Sequence, residues 1–159
     1  MEIQFISVDR TNYLECIALS IDETQKDYVA LNVFSLAQAA YEPEMYPLAI
    51  YHDGKMVGFI LYDFDEELAG WSMSRFMIDK KYQRQGLGKE ALSDFIRYFF
   101  QLYDASELYT SVEVDNSTAI TLYEKTGFIR QDVFEYDAGG KHYKEIRMLL
   151  KKESMIKEL

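Results

Sequence analysis

The chain of 159 residues contains one cysteine, two histidines and two prolines, and each scarcity closes a class of explanation. Cys16 alone forms no internal disulfide, and with only His52 and His142 beside it there is no metal-ligand spacing, so no metal site is expected. No apolar run approaches the ~18 residues of a membrane span. The opening Met-Glu-Ile-Gln-Phe lacks the basic and then apolar character of a signal peptide. These absences predict a soluble, cytoplasmic protein with no membrane partner. Bases are scarce as well: 17 Lys and Arg stand against 27 Asp and Glu, for a formal net charge of −10. Nucleic acid is therefore not an expected partner, because phosphate contacts need bases spread over a face.

What is present suits one sizeable core: 48% of residues are hydrophobic and 15% aromatic. We expect a single domain over residues 1–150, followed by a charged tail, 151–159, that frays or docks on a partner subunit. Residues 3–8 read as an edge strand, and Tyr13, Leu14, Ile17 and Ala18 as a first helix. Apolar positions from Tyr28 to Ala40 predict a second helix over about 25–41, and Pro43 and Pro47 punctuate the acidic loop after it. Runs 46–51 and 56–63 flank Asp53-Gly54, the dipeptide of a type I′ hairpin, and a third antiparallel run covers 71–78. Leu87, Ala91, Leu92, Phe95, Ile96, Phe99, Leu102 and Tyr103 form one apolar stripe of a long helix. A strand over 108–114, a short helix ending before Gly127, and a hairpin of 128–136 with 142–150 complete the order.

One segment inverts the charge of the whole. Residues 75–89 carry Arg75, Lys80, Lys81, Arg84 and Lys89 against the single acid Asp79, a local +4, so the remainder carries −14. The segment joins an apolar run to a glycine-bearing turn that opens the long helix. A helix N-terminus offers unpaired N–H groups and partial positive charge, so a diphosphate placed there gains several charge-assisted hydrogen bonds. Gly86 and Gly88 would permit close approach, and Arg84 and Lys89 would add counter-charge; the same residues also read as a flexible turn with solvated bases. Gly86-Leu87-Gly88-Lys89-Glu90-Ala91 fits a dinucleotide fingerprint in letters, but seven residues separate it from Ile78 and an antiparallel meander precedes it. No Gly-Lys-Ser or Gly-Lys-Thr is present at the spacing of a Walker A loop.

Gln83-Arg84-Gln85-Gly86-Leu87-Gly88 resembles the Gln/Arg-x-x-Gly-x-Gly/Ala signature of the Gcn5-related N-acetyltransferases. Residues 116–128, an asparagine leading a short helix that ends Tyr-Glu-Lys-Thr-Gly-Phe, are similar to the same family's later motif. The resemblance implies that family's α/β (α+β) fold: a single mixed, mostly antiparallel sheet of about seven strands flanked by about four helices. It implies acetyl-coenzyme A as cofactor, its pantetheine arm pairing with the backbone of Phe76, Met77 and Ile78 and its diphosphate meeting Arg84, Gln85, Gly86, Leu87, Gly88 and Lys89. Asn116 would hydrogen-bond the pantetheine arm, unless it simply caps its helix. Tyr123 would be the general acid, unless its ring packs in the core with its hydroxyl satisfied locally. The expected chemistry is direct transfer to an amine, with an N–H near Met77 or Ile78 stabilising the oxyanion. For the base, Glu113 is one candidate, with Asp63, Glu66 or Glu67 acting through water as others; Cys16 is expected to be a core residue.

The acceptor is read from charge and resemblance together. Residues 1–74 contain thirteen acids and only Arg10, Lys26 and Lys55 as bases. Carboxylates including Glu23, Asp27 and Glu42, interleaved with Tyr28, would suit a polycation, or would simply form a solvated acidic surface. The chain also resembles bacterial spermine/spermidine acetyltransferases in residues 75–89 and in Tyr109 and Ser111, which implies a polyamine. Another amine (an aminoglycoside, an amino acid or a protein N-terminus) and a non-catalytic acetyl-coenzyme A sensor stand as alternatives. The family is often dimeric, which makes a homodimer the expected assembly.

Overall fold

In the computed structural model the described residues are 2–26 and 30–156, with Ile156 described by its backbone only. Seven strands form one sheet: β1 (Ile3–Ser7), β2 (Met45–His52), β3 (Lys55–Asp65), β4 (Gly70–Ile78), β5 (Glu107–Glu113), β6 (Ile129–Ala138) and β7 (Lys141–Lys151). They hydrogen-bond in the order β1-β2-β3-β4-β5-β7-β6. Each pair is antiparallel except β4 with β5. The helices are α1 (Tyr13–Ala18), α2 (Asn32–Tyr41), α3 (Leu87–Leu102), α4 (Ser117–Lys125) and α5 (Lys152–Ile156). Mixed α/β architecture, mostly antiparallel, is what the sequence led us to expect, and among the described residues no helix is long and apolar enough to cross a membrane. The fifth helix is a single turn within the tail, tied to the sheet by the Lys152 N–H donating to the Ser106 carbonyl at 2.8 Å.

Turn chemistry sets two hairpins. Asp53 and Gly54 take φ of 51° and 80°, the left-handed pair a type I′ turn needs. At the second hairpin Ala138 pairs with Lys141, so the turn is only Gly139-Gly140, both left-handed, and the strands run further into the glycines than the apolar pattern indicated. Pro47 lies within β2 and not in the loop before it, its carbonyl accepting from the Val8 N–H at 3.0 Å.

The sheet separates two apolar layers. One packs under α3, whose Leu87, Ala91, Leu92, Phe95, Ile96, Phe99 and Phe100 are buried. The expected stripe differs at its end: Leu102 is exposed, because the helix stops there and Phe100 fills the place instead. The other layer joins Phe59, Leu61 and Met77 of the sheet to Cys16, Leu36 and Ala39 from α1 and α2. Cys16 is a core residue as expected, and burial pushes its thiol up to about 12.

The second helix differs from expectation. A 3₁₀ turn at Glu23–Gln25 is separate from α2, which begins only at Asn32. The polar Asn32 and Ser35 face inward, Asn32 Nδ2 donating to the Cys16 carbonyl at 3.0 Å, while Val33 and Phe34 are exposed. An apolar periodicity count misreads this helix because its inward face is partly polar.

Candidate active site

β4 is paired on both sides for only part of its length. Toward β5 its partners are Ser72 with Tyr109 and Met73 with Thr110; toward β3 it is paired from Gly70 to Ile78. Leu61 pairs with Arg75 and Tyr62 with Met73, so Ser74 is the extra residue of a bulge, and bulges bend the strand that carries them. Beyond Ser74 the two parallel strands part and leave a fork, its apex closed by the Thr110 hydroxyl donating to the Met73 carbonyl at 2.9 Å.

Which main-chain groups face the fork follows from the ladder. The Asp79 N–H donates to Val57 at 2.8 Å, which makes Asp79 and Val57 a hydrogen-bonded pair. Antiparallel pairing alternates, so Met77 turns its main-chain groups to β3 while Phe76 and Ile78 turn theirs to the fork. Of the three residues expected to pair with a pantetheine arm, Phe76 turns its main chain to the fork and Ile78 its N–H, the Ile78 carbonyl being taken by Gln83. Gly58 makes this close approach feasible, for a Cβ there would lie 2.5 Å from the Met77 carbonyl oxygen.

The fork runs into the glycine turn. Asp79 is buried and accepts from the Ser20 and Lys81 N–H groups at 2.8 and 3.2 Å. Gln83 Nε2 donates to the Ile78 carbonyl at 2.8 Å and to Gln25 Oε1 at 3.0 Å. Arg84 and Gly86 are left-handed at φ 62° and 80°. Leu87 anchors the turn in the core, and Arg84, Gln85 and Lys89 are exposed. The N–H groups of residues 86–89 have no acceptor among the described residues, as the first turn of a helix dictates. A Cβ at Gly86 would meet nothing within 4 Å, although its left-handed backbone favours glycine by itself; one at Gly88 would meet only Ile78 at 3.9 Å, so the protein's own packing does not need Gly88. A diphosphate above exposed amides does, and the residues present fit a coenzyme A.

The opposite wall comes from β5 and α4. Tyr123 is 8% exposed, its ring 5.6 Å from Phe128; burial pushes the phenol up to about 12, and the nearby Thr110 hydroxyl opposes the shift. Asn116 Oδ1 accepts from the Ala119 N–H at 3.3 Å as helix cap, which leaves Nδ2 without an acceptor among the described residues. Glu113, half-buried, stands opposite Glu145 in the β5–β7 register, and burial first, then Glu145, raises its pKa.

The other expected acceptor residues are not gathered here. Glu23 is exposed and paired with Lys26 at 2.8 Å, on the turn beside Gln25 and hence beside the glycine loop. Glu42 is exposed at the end of α2. Asp27 and Tyr28 lie outside the described residues.

Sequence reading passed over Ser74, Thr110 and Arg75 as site residues. Arg75 Nη2 donates to Gln38 of α2 at 3.1 Å. The Ser74 hydroxyl donates to Asp63, a carboxylate 8% exposed, and burial raises the pKa of Asp63. Asp63 was detectable by alternation, since it follows Phe59 and Leu61 on an inward-facing register. Among the described residues no cluster of His, Cys, Asp and Glu could hold a metal ion.

Comparison with known proteins agrees with this geometry. The model of the acetyltransferase (GNAT) family matches residues 12–128. A probable spermine N(1)-acetyltransferase of Bacillus subtilis subsp. natto (strain BEST195) is 32% identical over 135 residues, covering 80% of this chain and 88% of that protein. The spermine/spermidine N(1)-acetyltransferase of Bacillus subtilis (strain 168) is 31% identical over the same shares. The crystal structure of spermidine N-acetyltransferase from Vibrio cholerae, in complex with CoA and spermine, superposes with a TM-score of 0.74 at 15% identity, over 97% of this chain and 98% of that one, a likeness of fold. With its forked β4 and β5, its open glycine turn and a match spanning both motifs, the chain belongs to the GNAT acetyltransferase family.

Proposed function

We propose that the protein uses acetyl-coenzyme A to acetylate a primary amine of a polyamine, spermine or spermidine, by direct transfer. The observation that carries the reading is the continuity of the fork-facing main chain of Phe76 and the fork-facing Ile78 N–H with the open amides of residues 86–89, the Ile78 carbonyl being held by Gln83. Residues 1–150 act as one catalytic domain with 151–159 as its tail, and a homodimer in the cytoplasm is the expected assembly.

When bound, acetyl-coenzyme A supplies an activated acetyl thioester. The chain's part is positional and electrostatic. Residues 84–89 hold the diphosphate through main-chain N–H groups, Arg84 and Lys89. Phe76, Ile78 and the free Nδ2 of Asn116 hold the pantetheine amides. The Ile78 or Phe76 N–H, facing the fork, serves the developing oxyanion, a role Met77 cannot fill with its N–H turned to β3. Tyr123, a neutral phenol at pH 7 as tyrosine ordinarily is and held further from ionisation by burial, donates its proton to the departing sulfur.

A polyamine suits the acceptor side because the half-buried Glu113 opposes Glu145 at the end of β5, and because the relatives matched over most of the chain are named for spermine and spermidine. The test is thiol release from acetyl-coenzyme A with purified amines. We expect turnover with spermine and spermidine well above that with amino acids, aminoglycosides or peptide N-termini; equal rates throughout, or binding without turnover, would refute the assignment.

A further inference from the structure

We infer that Ser74 and Asp63 form the path by which the acceptor ammonium loses its proton. The inference rests on the function proposed above, and three observations carry it. Ser74 is the bulged residue of β4, exposed at the point where β4 and β5 part, so it stands beside the mouth of the fork. That hydroxyl donates to Asp63 Oδ2, the one side-chain hydrogen bond Asp63 makes among the described residues. Asp63 is itself buried on the face covered by α1 and α2, and no cation lies within ion-pair distance of it among the described residues. Burying a carboxylate with a single serine as its hydrogen-bond donor costs stability.

The step balances simply. A polyamine nitrogen is an ammonium at neutral pH and has no lone pair with which to attack. As one N–H bond breaks, its proton passes to Ser74 Oγ while the Ser74 proton passes to Asp63, forming one O–H bond on the carboxyl group and leaving a neutral amine. The acid later returns that proton to water. Ser74 touches the substrate and is the catalytic residue; Asp63 acts through it. The charged groups acting on Asp63 are Asp65 on its own strand and Arg75 from β4; Gln38 of α2 brings a neutral amide, and Glu145 of β7 and Tyr136 of β6 act on Arg75. Burial raises the pKa of Asp63 toward the range in which a base works.

The experiment compares the wild type with Asp63→Asn, Ser74→Ala and Ser74→Thr, using spermine across pH and calorimetry with coenzyme A. Asp63→Asn and Ser74→Ala should lower kcat/KM at neutral pH by roughly 10²-fold. Their pH profiles should shift to the alkaline side, where free amine is already present. Coenzyme A affinity should hold, and Ser74→Thr should recover most of the rate. In the protein without cofactor, carboxyl NMR should show Asp63 titrating above the ordinary value of an aspartate, and higher still in Ser74→Ala, where the donor that stabilises the carboxylate is gone. If the wild type acetylates spermine while Asp63→Asn keeps its rate and profile, the proton path is wrong and the acetyltransferase reading stands. If the wild type binds coenzyme A but acetylates no amine, the proposed function fails and takes the inference with it.

Discussion

The two walls of the fork are built on different principles. On the proposed function the β4 wall binds with main chain: Phe76 and the Ile78 N–H face the fork, the adjoining turn presents amides, and the side chains Met77, Ile78 and Leu87 serve as anchors in the core. On the same proposal the β5 wall works with side chains, Thr110, Glu113, Asn116 and Tyr123, of which Thr110 and Asn116 are hydrogen-bonded to a neighbour. Main chain is indifferent to sequence, so the first wall depends on where the backbone lies. The second depends on single functional groups. A substitution should therefore hurt binding or geometry on one side and the rate on the other.

The sharpest break in that comparison is Tyr123→Phe. Turnover should fall by roughly 10²–10⁴, as for a lost general acid, with coenzyme A affinity nearly intact by calorimetry. An unchanged kcat would remove Tyr123 from the chemistry and leave it a core ring beside Phe128.

On the other wall, Gly58→Ala forces a Cβ against the Met77 carbonyl and should cost about 1–3 kcal/mol, several degrees of Tm, while weakening coenzyme A binding by displacing β4. Thermal melts and calorimetry read both effects, and weakened stability with unaltered affinity would separate the wall's packing from its binding. Gly86→Ala is milder. Holding alanine left-handed costs about 1–2 kcal/mol of folding stability, and where the turn relaxes to escape that strain its amides leave their places, so the Kd for coenzyme A should rise by up to roughly tenfold with kcat little changed.

How much of this the residues disclosed depends on the same contrast. Glycine turn, type I′ hairpin and amphipathic α3 are local: a few consecutive residues state their own conformation, and each was read correctly in kind. The split between the 3₁₀ turn and α2 was hidden because Asn32 and Ser35, polar residues, occupy inward positions. Ser74 joins Asp63 only through a bulge and a strand pairing, eleven positions apart, which no local pattern reports. Register likewise decides that Met77 faces β3 while its neighbours face the fork.

The smallest expected effect concerns the acceptor. Glu113→Gln should raise the spermine KM about two- to fivefold, and more than Glu23→Gln, whose exposed carboxylate is already paired with Lys26. Neutralising Glu23 and Asp27 together should matter at low salt and fade at high salt, as screened surface charge does. The reverse ranking would place the polycation on the N-terminal turn.

The central claim is that open main chain along the fork and at the start of α3 receives acetyl-coenzyme A. Calorimetric titration of the purified protein with coenzyme A tests it most directly. The account predicts saturable one-site binding that raises Tm and is weakened by Gly86→Ala; absence of heat and of thermal protection at saturating ligand would contradict it.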